Sequence, residues 1–575
     1  MRKIKGYALI STLLLSGFSS MALPPRLETI DFLQPDNSIV KIKILGDEHR
    51  HYNVTEDGDL VTVDSSGFLN YAEILPDGSL RPTGERFSRH VINKKGNNIK
   101  EIDLKSIANH NRDIPQFGLG MYKKGYPTEG NPHVLFFLVE FSDVKFSDNY
   151  KEDIKSYYDS MLNGENFTDQ GALGSVRKYF SDQSSGKFSP VFDIYGPIAV
   201  DATQAVYCDD YGQGWDVRAN YLIADVAKLL DKEIDYSKYD EDDDGEVDFI
   251  YFIVAGEGQH RTGIESQIYP HQGSIKNDGN FVIVDGKWIN NYAISNELNG
   301  ENPEGIGPIV HEYSHVLGLP DLYTVDWMAV WPDPIDFTPG AYTVLDQGTY
   351  NNDGHTPPNY TAYERNALQW NEPVVIDPSG EIVLDEISSG EFALLPMSEV
   401  NEFYLFENRQ LSGWDSYIPN HGMVIWHIDY DKADFSDNGV NIDPQHQRVD
   451  LVEANNQPGF ITSGKDFTFP GTTGNTSFTP ATKPALFAWS GEEINLAVTG
   501  IREEDGMISF HVENFDSENP GDNNSISIPE ADSDGRYHVY SISGIKLMDT
   551  QDPDFIDKLS SGLYIINGKK VLIKK

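Results

Sequence analysis

The chain has 575 residues and carries 90 Asp and Glu against 44 Lys and Arg, a formal charge of −46. That length suffices for several domains, and that charge excludes nucleic acid as a partner, because a polyanion is repelled rather than steered in. Cys208 is the only cysteine, so no intramolecular disulfide can form, and its acidic neighbours Asp209 and Asp210 disfavour a thiolate nucleophile.

In chain order, Met1 to Ala22 reads as an export signal. Arg2, Lys3 and Lys5 are followed by the apolar stretch Ala8 to Leu15 and the small-residue end Ser20-Met21-Ala22. The stretch is too short to span a bilayer, and no other stretch is long and apolar enough to do so. The expectation is a secreted or cell-surface protein that travels through the periplasm. Residues 23–125 read as a β-rich module with a loose end: Ile42, Ile44 and Leu45 precede a turn, Glu56-Asp57-Gly58-Asp59 is another, and Leu60 to Val63 follows. His133 to Phe141 is a continuous apolar run, the mark of a buried strand. Val217 to Leu230 has helical spacing, Phe249 to Val254 is a second buried-strand candidate, and a helix is expected from about Gly307 to Leu317. Mixed strands and helices over 126–375 suggest a catalytic domain, and the fold class expected overall is α+β. Over 376–514 helical signals nearly vanish. Glu381 to Leu384, Phe392 to Leu395, Phe403 to Glu407, Met423 to Ile428 and Ile508 to Val512 read as strands of an all-β extension. Residues 515–536 are a polar linker, and 537–575 form a small β-domain.

The segment from His311 to Asp321 carries the chemistry. On a helix, His311 and His315 are four residues apart, so both imidazoles project from one face and can bind one metal ion. Glu312 stands beside them, placed to take a proton from a water at the metal. Imidazole suits zinc, whose catalytic sites keep a position open for water and lower its pKa to about 7. Gly318 lets the chain turn sharply, so that Asp321 can return as third ligand. Together these residues match the metzincin spacing H-E-x-x-H-x-x-G-x-x-[H/D]. An amphipathic core helix with two satisfied histidines is the alternative.

A second candidate metal site lies upstream. Asp240, Asp242, Asp244 and Asp248 occupy positions 1, 3, 5 and 9 of an EF-hand-like loop, and Gly245 occupies position 6. Position 12 is Tyr251, so the usual bidentate glutamate is missing. Calcium would relieve the mutual repulsion of these acids; a solvated acidic turn is the alternative.

Several stretches together resemble the M6 (immune inhibitor A-like) family of secreted bacterial metalloproteases. They include Ser175 to Phe180 with Gln183 to Phe188, Gly196-Pro197, Tyr269-Pro270-His271, Glu297 and His311 to Tyr323. Downstream, Gly348 to Asn352, Thr356 to Glu364, Phe406 to Gln410 and His421 to Asp429 are also similar. The resemblance covers roughly residues 25–512. It implies a metzincin-like zinc protease domain behind an N-terminal propeptide. One departure is Leu345, which takes the place where metzincins carry a methionine beneath the zinc; leucine is close in volume and apolar. Separately, Tyr540 to Gly544 and Gly562 to Lys570 resemble the sorting domains of the type IX secretion system. A small accessory β-domain is the alternative.

The reading that follows is a secreted zinc endopeptidase made as a zymogen. His311, His315 and Asp321 hold zinc, Glu312 is general base, and proteins or peptides are the substrates. Tyr350 is either a group near the oxyanion or a core aromatic. The export machinery would be a partner through the C-terminal module. The rival classes are a non-catalytic adhesin on a protease scaffold and a metal-dependent esterase or amidase.

Overall fold

The computed structural model describes residues 21–22, 29–46, 51–64, 66–74, 80–87, 126–148, 150, 153–208, 218–241, 243–275, 282–325, 339–376, 380–397, 401–431, 434–435, 438–443, 445–457, 464–515, 535–541, 546–552, 555–559, 562–567 and 569–573. An alternation hidden in the apolar run 133–141 organises its centre. In the strand His133–Glu140, Val134, Phe136 and Leu138 enter one core, while Leu135, Phe137 and Val139 enter another. Ile250–Glu257 does the same, with Tyr251 and Ile253 on the first side and Ile250, Phe252 and Val254 on the second. Strands buried on both faces require a layer above and a layer below.

The sheet that contains them has the order Met21–Ala22, His271–Ser274, Asn291–Asn299, Ile250–Glu257, His133–Glu140, Val191–Ala199. Pairing is parallel from Asn291–Asn299 through to Val191–Ala199, whereas His271–Ser274 runs antiparallel to its neighbour. Helices Ile154–Asn163, Val176–Gln183 and Gly307–Val316 cover the first face, where Tyr158, Phe180 and Tyr313 share a core with Phe136. Helix Ala219–Leu229 covers the second face, with Leu222, Ile223 and Val226 in the core of Phe137 and Phe252. This part of the molecule is a mixed α/β layer structure, in which the expected helices and strands shift at their ends by a few residues.

The β-rich extension is not separate from this core. Its five-stranded sheet runs Val374–Val375, Ala393–Pro396, Glu402–Arg409, Gly422–Asp429, Val449–Leu451. Phe403, Leu405, Val424 and Trp426 on one face belong to the same core as the Gly307–Val316 helix. Tyr404, Phe406, Met423 and Ile425 on the other face pack with a three-stranded sheet of Glu381–Leu384, Met507–Asn514 and Leu496–Glu504. Arg409 is fully buried at the junction and donates to both oxygens of Asp415 (2.5 and 2.8 Å), to Glu407 (3.0 Å) and to the carbonyls of Tyr342 and Asn359. Removing one partner of such a buried pair would strand an uncompensated charge.

Upstream, Ile30–Leu33 to Leu80–Arg86 form a six-stranded antiparallel sheet in sequence order. Its Phe32, Val40, Ile42 and Val61 pack on Ile264, in the turn that leads to the strand His271–Ser274. Asn53 Nδ2 donates to the Gly263 carbonyl at 3.1 Å and Thr62 Oγ1 to Glu265 at 2.7 Å. Met21–Ala22, where the expected leader ends, lies antiparallel against His271 and Gln272. The C-terminal module is a four-stranded antiparallel sheet of order Lys546–Thr550, Tyr537–Ser541, Gly562–Ile566, Lys569–Ile573. Among the described residues, no helix is long and apolar enough to cross a membrane.

Candidate metal centre

Four residues anchor the helix Gly307–Val316. Pro308 stands in its first turn, where a missing N–H costs nothing. Gly307 packs so closely that a Cβ there would lie 2.0 Å from the Thr349 carbonyl oxygen. Tyr313 stacks on Phe249 with ring centroids 5.4 Å apart and meets Phe180 edge-on at 5.0 Å. On the next position Ser314 Oγ donates to the Val310 carbonyl at 2.7 Å and meets the Tyr360 hydroxyl. The helix stops at Gly318, whose φ of 99° is open to glycine alone at little cost, and Leu319 N–H closes back on the Ser314 carbonyl at 3.2 Å. Asp321 then returns to the helix.

His311, His315 and Asp321 meet there. Nε2 of His311 and Nε2 of His315 are 3.1 Å apart, and they lie 3.2 and 3.3 Å from Asp321 Oδ1. The three side chains are buried, and their candidate ligand atoms all fall within 4.8 Å of one another. Each imidazole spends its outer nitrogen on the backbone: His311 Nδ1–H donates to the Val344 carbonyl and His315 Nδ1–H to the Leu319 carbonyl, both at 2.8 Å. That choice of tautomer turns both Nε2 lone pairs inward, as a metal-ligating histidine requires. Two imidazole lone pairs and a carboxylate oxygen packed away from water call for a cation, and this donor set fits zinc.

Glu312 is fully buried on the same helix, near enough to Tyr251 that its charge, after burial itself, raises that hydroxyl's pKa. The turn around Leu345 lies directly against the trio. Besides the Val344 carbonyl on His311, the Leu345 carbonyl accepts the Leu322 N–H at 3.0 Å, and Leu345 is fully buried. Asp346 beside it accepts N–H bonds from Gly340 and Gln347 at 2.6 and 2.7 Å. Burial, reinforced by the charge of Asp321, pushes the Asp346 carboxyl up to about 7 against the bonds from those two N–H groups.

Tyr350 ends the short turn Gln347–Tyr350. Its ring lies parallel to that of His260, centroids 6.5 Å apart, with the Arg261 guanidinium 5.9 Å from its own centroid. His421 and His427 hydrogen-bond to Glu503 and Glu402, each at 2.8 Å.

The acidic loop has a different character. Asp240 Oδ1 accepts the Asp244 N–H and Oδ2 the Gly245 N–H, both at 3.0 Å, and the Lys287 ammonium also sits on Oδ2. Asp244 Oδ1 accepts the Glu246 N–H at 2.8 Å, and Asp248 Oδ2 accepts the Glu241 N–H at 3.1 Å. Asp242 lies outside the described residues. A lysine thus supplies positive charge where calcium was expected.

One residue at the centre has no sequence signal. Asn438, in the extension, hydrogen-bonds twice to Asp321. Its Asn438-Gly439 pair reads as an ordinary turn, and nothing local points 117 residues back along the chain.

Residues 123–371 match a known family, described as immune inhibitor A peptidase M6, catalytic domain. The matched segment contains His311, Glu312, His315 and Asp321. Among curated relatives, the chain is 26% identical to Immune inhibitor A of Bacillus thuringiensis subsp. alesti over 275 residues, covering 41% of this chain and 39% of that protein. It is 22% identical over 326 residues to the pre-pro-metalloprotease PrtV of Vibrio cholerae serotype O1 (strain M66-2), covering 49% of this chain and 34% of that protein. The chain thus matches well under half the length of either relative.

Proposed function

We propose that the chain is a secreted zinc-dependent endopeptidase. The observation that carries this reading is the convergence of His311 Nε2, His315 Nε2 and Asp321 Oδ1 in a buried cluster, with both outer imidazole nitrogens already bonded to carbonyls. The likeness to the M6 catalytic domain and to a relative named as a pre-pro-metalloprotease supports it. His311, His315 and Asp321 hold the ion, which when bound polarises a peptide carbonyl and acidifies a water molecule. Glu312 takes the proton of the attacking water and delivers it to the amine that leaves as the C–N bond breaks. Tyr350 stands either near the developing oxyanion or as an aromatic of the core, where its ring lies against His260 and Arg261. The loop of Asp240 and Asp248 enters no step, because its acids close their own turn and meet Lys287.

The N-terminal sheet is read as an inhibitory propeptide. Its packing on Ile264 and its hydrogen bonds from Asn53 to Gly263 and from Thr62 to Glu265 support that role, since these contacts engage the segment that leads to the catalytic sheet. Residues 537–575 are read as an address for export.

Casein cleavage by the full chain, trimmed near Gly125 and assayed with and without a zinc chelator, tests the reading. Glu312→Ala should keep its zinc and its fold and lose about 10²-fold or more of the rate. Equal cleavage by mutant and parent would take Glu312 out of the mechanism, and no chelator-sensitive cleavage by the parent would replace the protease with a binding protein.

A further inference from the structure

We infer that Asn438, supplied by the β-rich extension, is a positioning residue of the metal centre: it holds Asp321 so that Oδ1 alone is turned to the two imidazoles. This rests on reading His311, His315 and Asp321 as a metal site. Asn438 Nδ2 donates to Asp321 Oδ2 at 2.7 Å, and the Asp321 N–H donates to Asn438 Oδ1 at 2.8 Å. One carboxamide therefore grips the side chain and the backbone of the same residue. Two bonds in opposite senses fix the rotation of the carboxylate about its own axis. Oδ2 is spent on the amide, whereas Oδ1 has no hydrogen-bond donor and stands 3.2 and 3.3 Å from the histidine Nε2 atoms.

The residue type fits the task. A carboxamide carries both a donor and an acceptor and no charge, so it orients the carboxylate without competing for the cation. Asp in its place would lose the donor and set a second negative charge against Oδ2. Serine is too short to span both contacts. Asn438 also sits in the left-handed region at φ 52°, which asparagine tolerates better than most residues, and it is 3% exposed.

The support extends one step further. Asn441, in the same segment, donates through Nδ2 to the carbonyls of Leu322 (2.7 Å) and Val449 (2.9 Å), and its Oδ1 accepts the Val449 N–H at 3.1 Å. Leu322 N–H is meanwhile bonded to the Leu345 carbonyl. The chain at 321–322 is thereby held between the turn at Leu345 on one side and strand Val449–Leu451 of the extension on the other. Partners that orient ligands in this way typically contribute about 10–100-fold in metal affinity.

The test uses the full chain and zinc alone. Asn438→Gly keeps the backbone conformation and removes the clamp; Asn438→Gln keeps an amide but displaces it by one methylene. Zinc dissociation constants are measured by competition with a chromophoric chelator, below the melting midpoint of each metal-free variant. The visible spectrum of the cobalt form reports ligand geometry. Both variants should bind zinc about 10–100-fold more weakly and shift the cobalt spectrum, while Asn441→Ala, which leaves the carboxylate clamp in place, changes that spectrum less. Parent-like affinity and spectrum in a folded Asn438 variant would overturn the role of Asn438. Asp321→Ala is the control that separates the two ideas: undiminished zinc binding there would overturn the metal site itself.

Discussion

Two stretches of this chain carry the spacing of a metal site, and they end differently. At 311–321 the local hydrogen bonds consume the outer atoms: each imidazole gives Nδ1–H to a carbonyl, and Asp321 gives Oδ2 to Asn438. Three inner donor atoms remain, and they face one another. At 240–248 the local bonds fall on the carboxylates themselves. Asp240, Asp244 and Asp248 each accept backbone N–H groups of their own turn, and Lys287 brings its charge to Asp240. Spacing puts ligand types together; a site needs lone pairs left over after the backbone has been satisfied.

The largest effect expected from this contrast is on removal of zinc. Stripping the ion should abolish casein cleavage. If zinc stands at a thousand times its dissociation constant and binds only the folded state, it contributes about 4.1 kcal/mol of stability. The melting midpoint should fall accordingly in a chelator and return on zinc addition. Asp321→Ala should erase most of the difference between the two conditions, and Asp244→Ala none of it. A chelator response that survives Asp321→Ala but fails in Asp244→Ala would invert the comparison.

How far the sequence alone carries follows the same division between local and distant contacts. Helix Gly307–Val316 is legible, because His311, Glu312, His315 and the stop at Gly318 all lie within one short segment. So are the central strands, since a strand buried on both faces must be apolar throughout, as 133–141 is. Asn438 is illegible: its partner is 117 residues away, and side-chain amides in loops usually serve turns. Lys287 is illegible in the same way, arriving 47 residues after Asp240 to sit on its carboxylate. The continuity of core between the catalytic segment and the extension is a further case. The short apolar run Phe403 to Phe406 announces a strand, but both of its faces are buried, and only packing reveals that Phe403 and Leu405 join the core of the Gly307–Val316 helix.

A second prediction probes that shared core. Glu364 is buried near the junction, where it accepts hydrogen bonds from Thr343 and from the Thr361 N–H. Burial pushes its carboxyl from 4.5 up to about 7 in spite of those bonds. Between these values the folded chain keeps a proton that the unfolded chain has released, so stability falls as pH rises through that window and is level above it. A shift of that size corresponds to an effect on the order of 3 kcal/mol. Glu364→Gln should reduce the loss of stability between pH 5 and 8, measured by denaturant unfolding of the zinc-loaded chain. Some slope should remain, because Asp346 and Asp450 are also raised to about 7 by burial. An unchanged slope would mean that Glu364 is ionised throughout.

The smallest effect belongs to the acidic loop, and it sharpens the comparison most directly. Asp240 is buried, and its Oδ2 holds the Lys287 ammonium, which also lies 3.6 Å from Asp243. With a lysine there, calcium must displace a cation already tethered to the chain, so added calcium should move the melting midpoint of the parent very little. Lys287→Met removes that competitor. The variant should melt lower without calcium, because a buried carboxylate loses its partner. It should then gain about 2.7 kcal/mol when calcium stands at a hundred times its dissociation constant. Asp240→Asn in the same background should cancel the gain, since the carboxylate that receives the ion is gone. A full calcium response in the parent chain would show that lysine and calcium occupy the loop together, and the contrast between the two acidic sites would then be one of affinity rather than of kind.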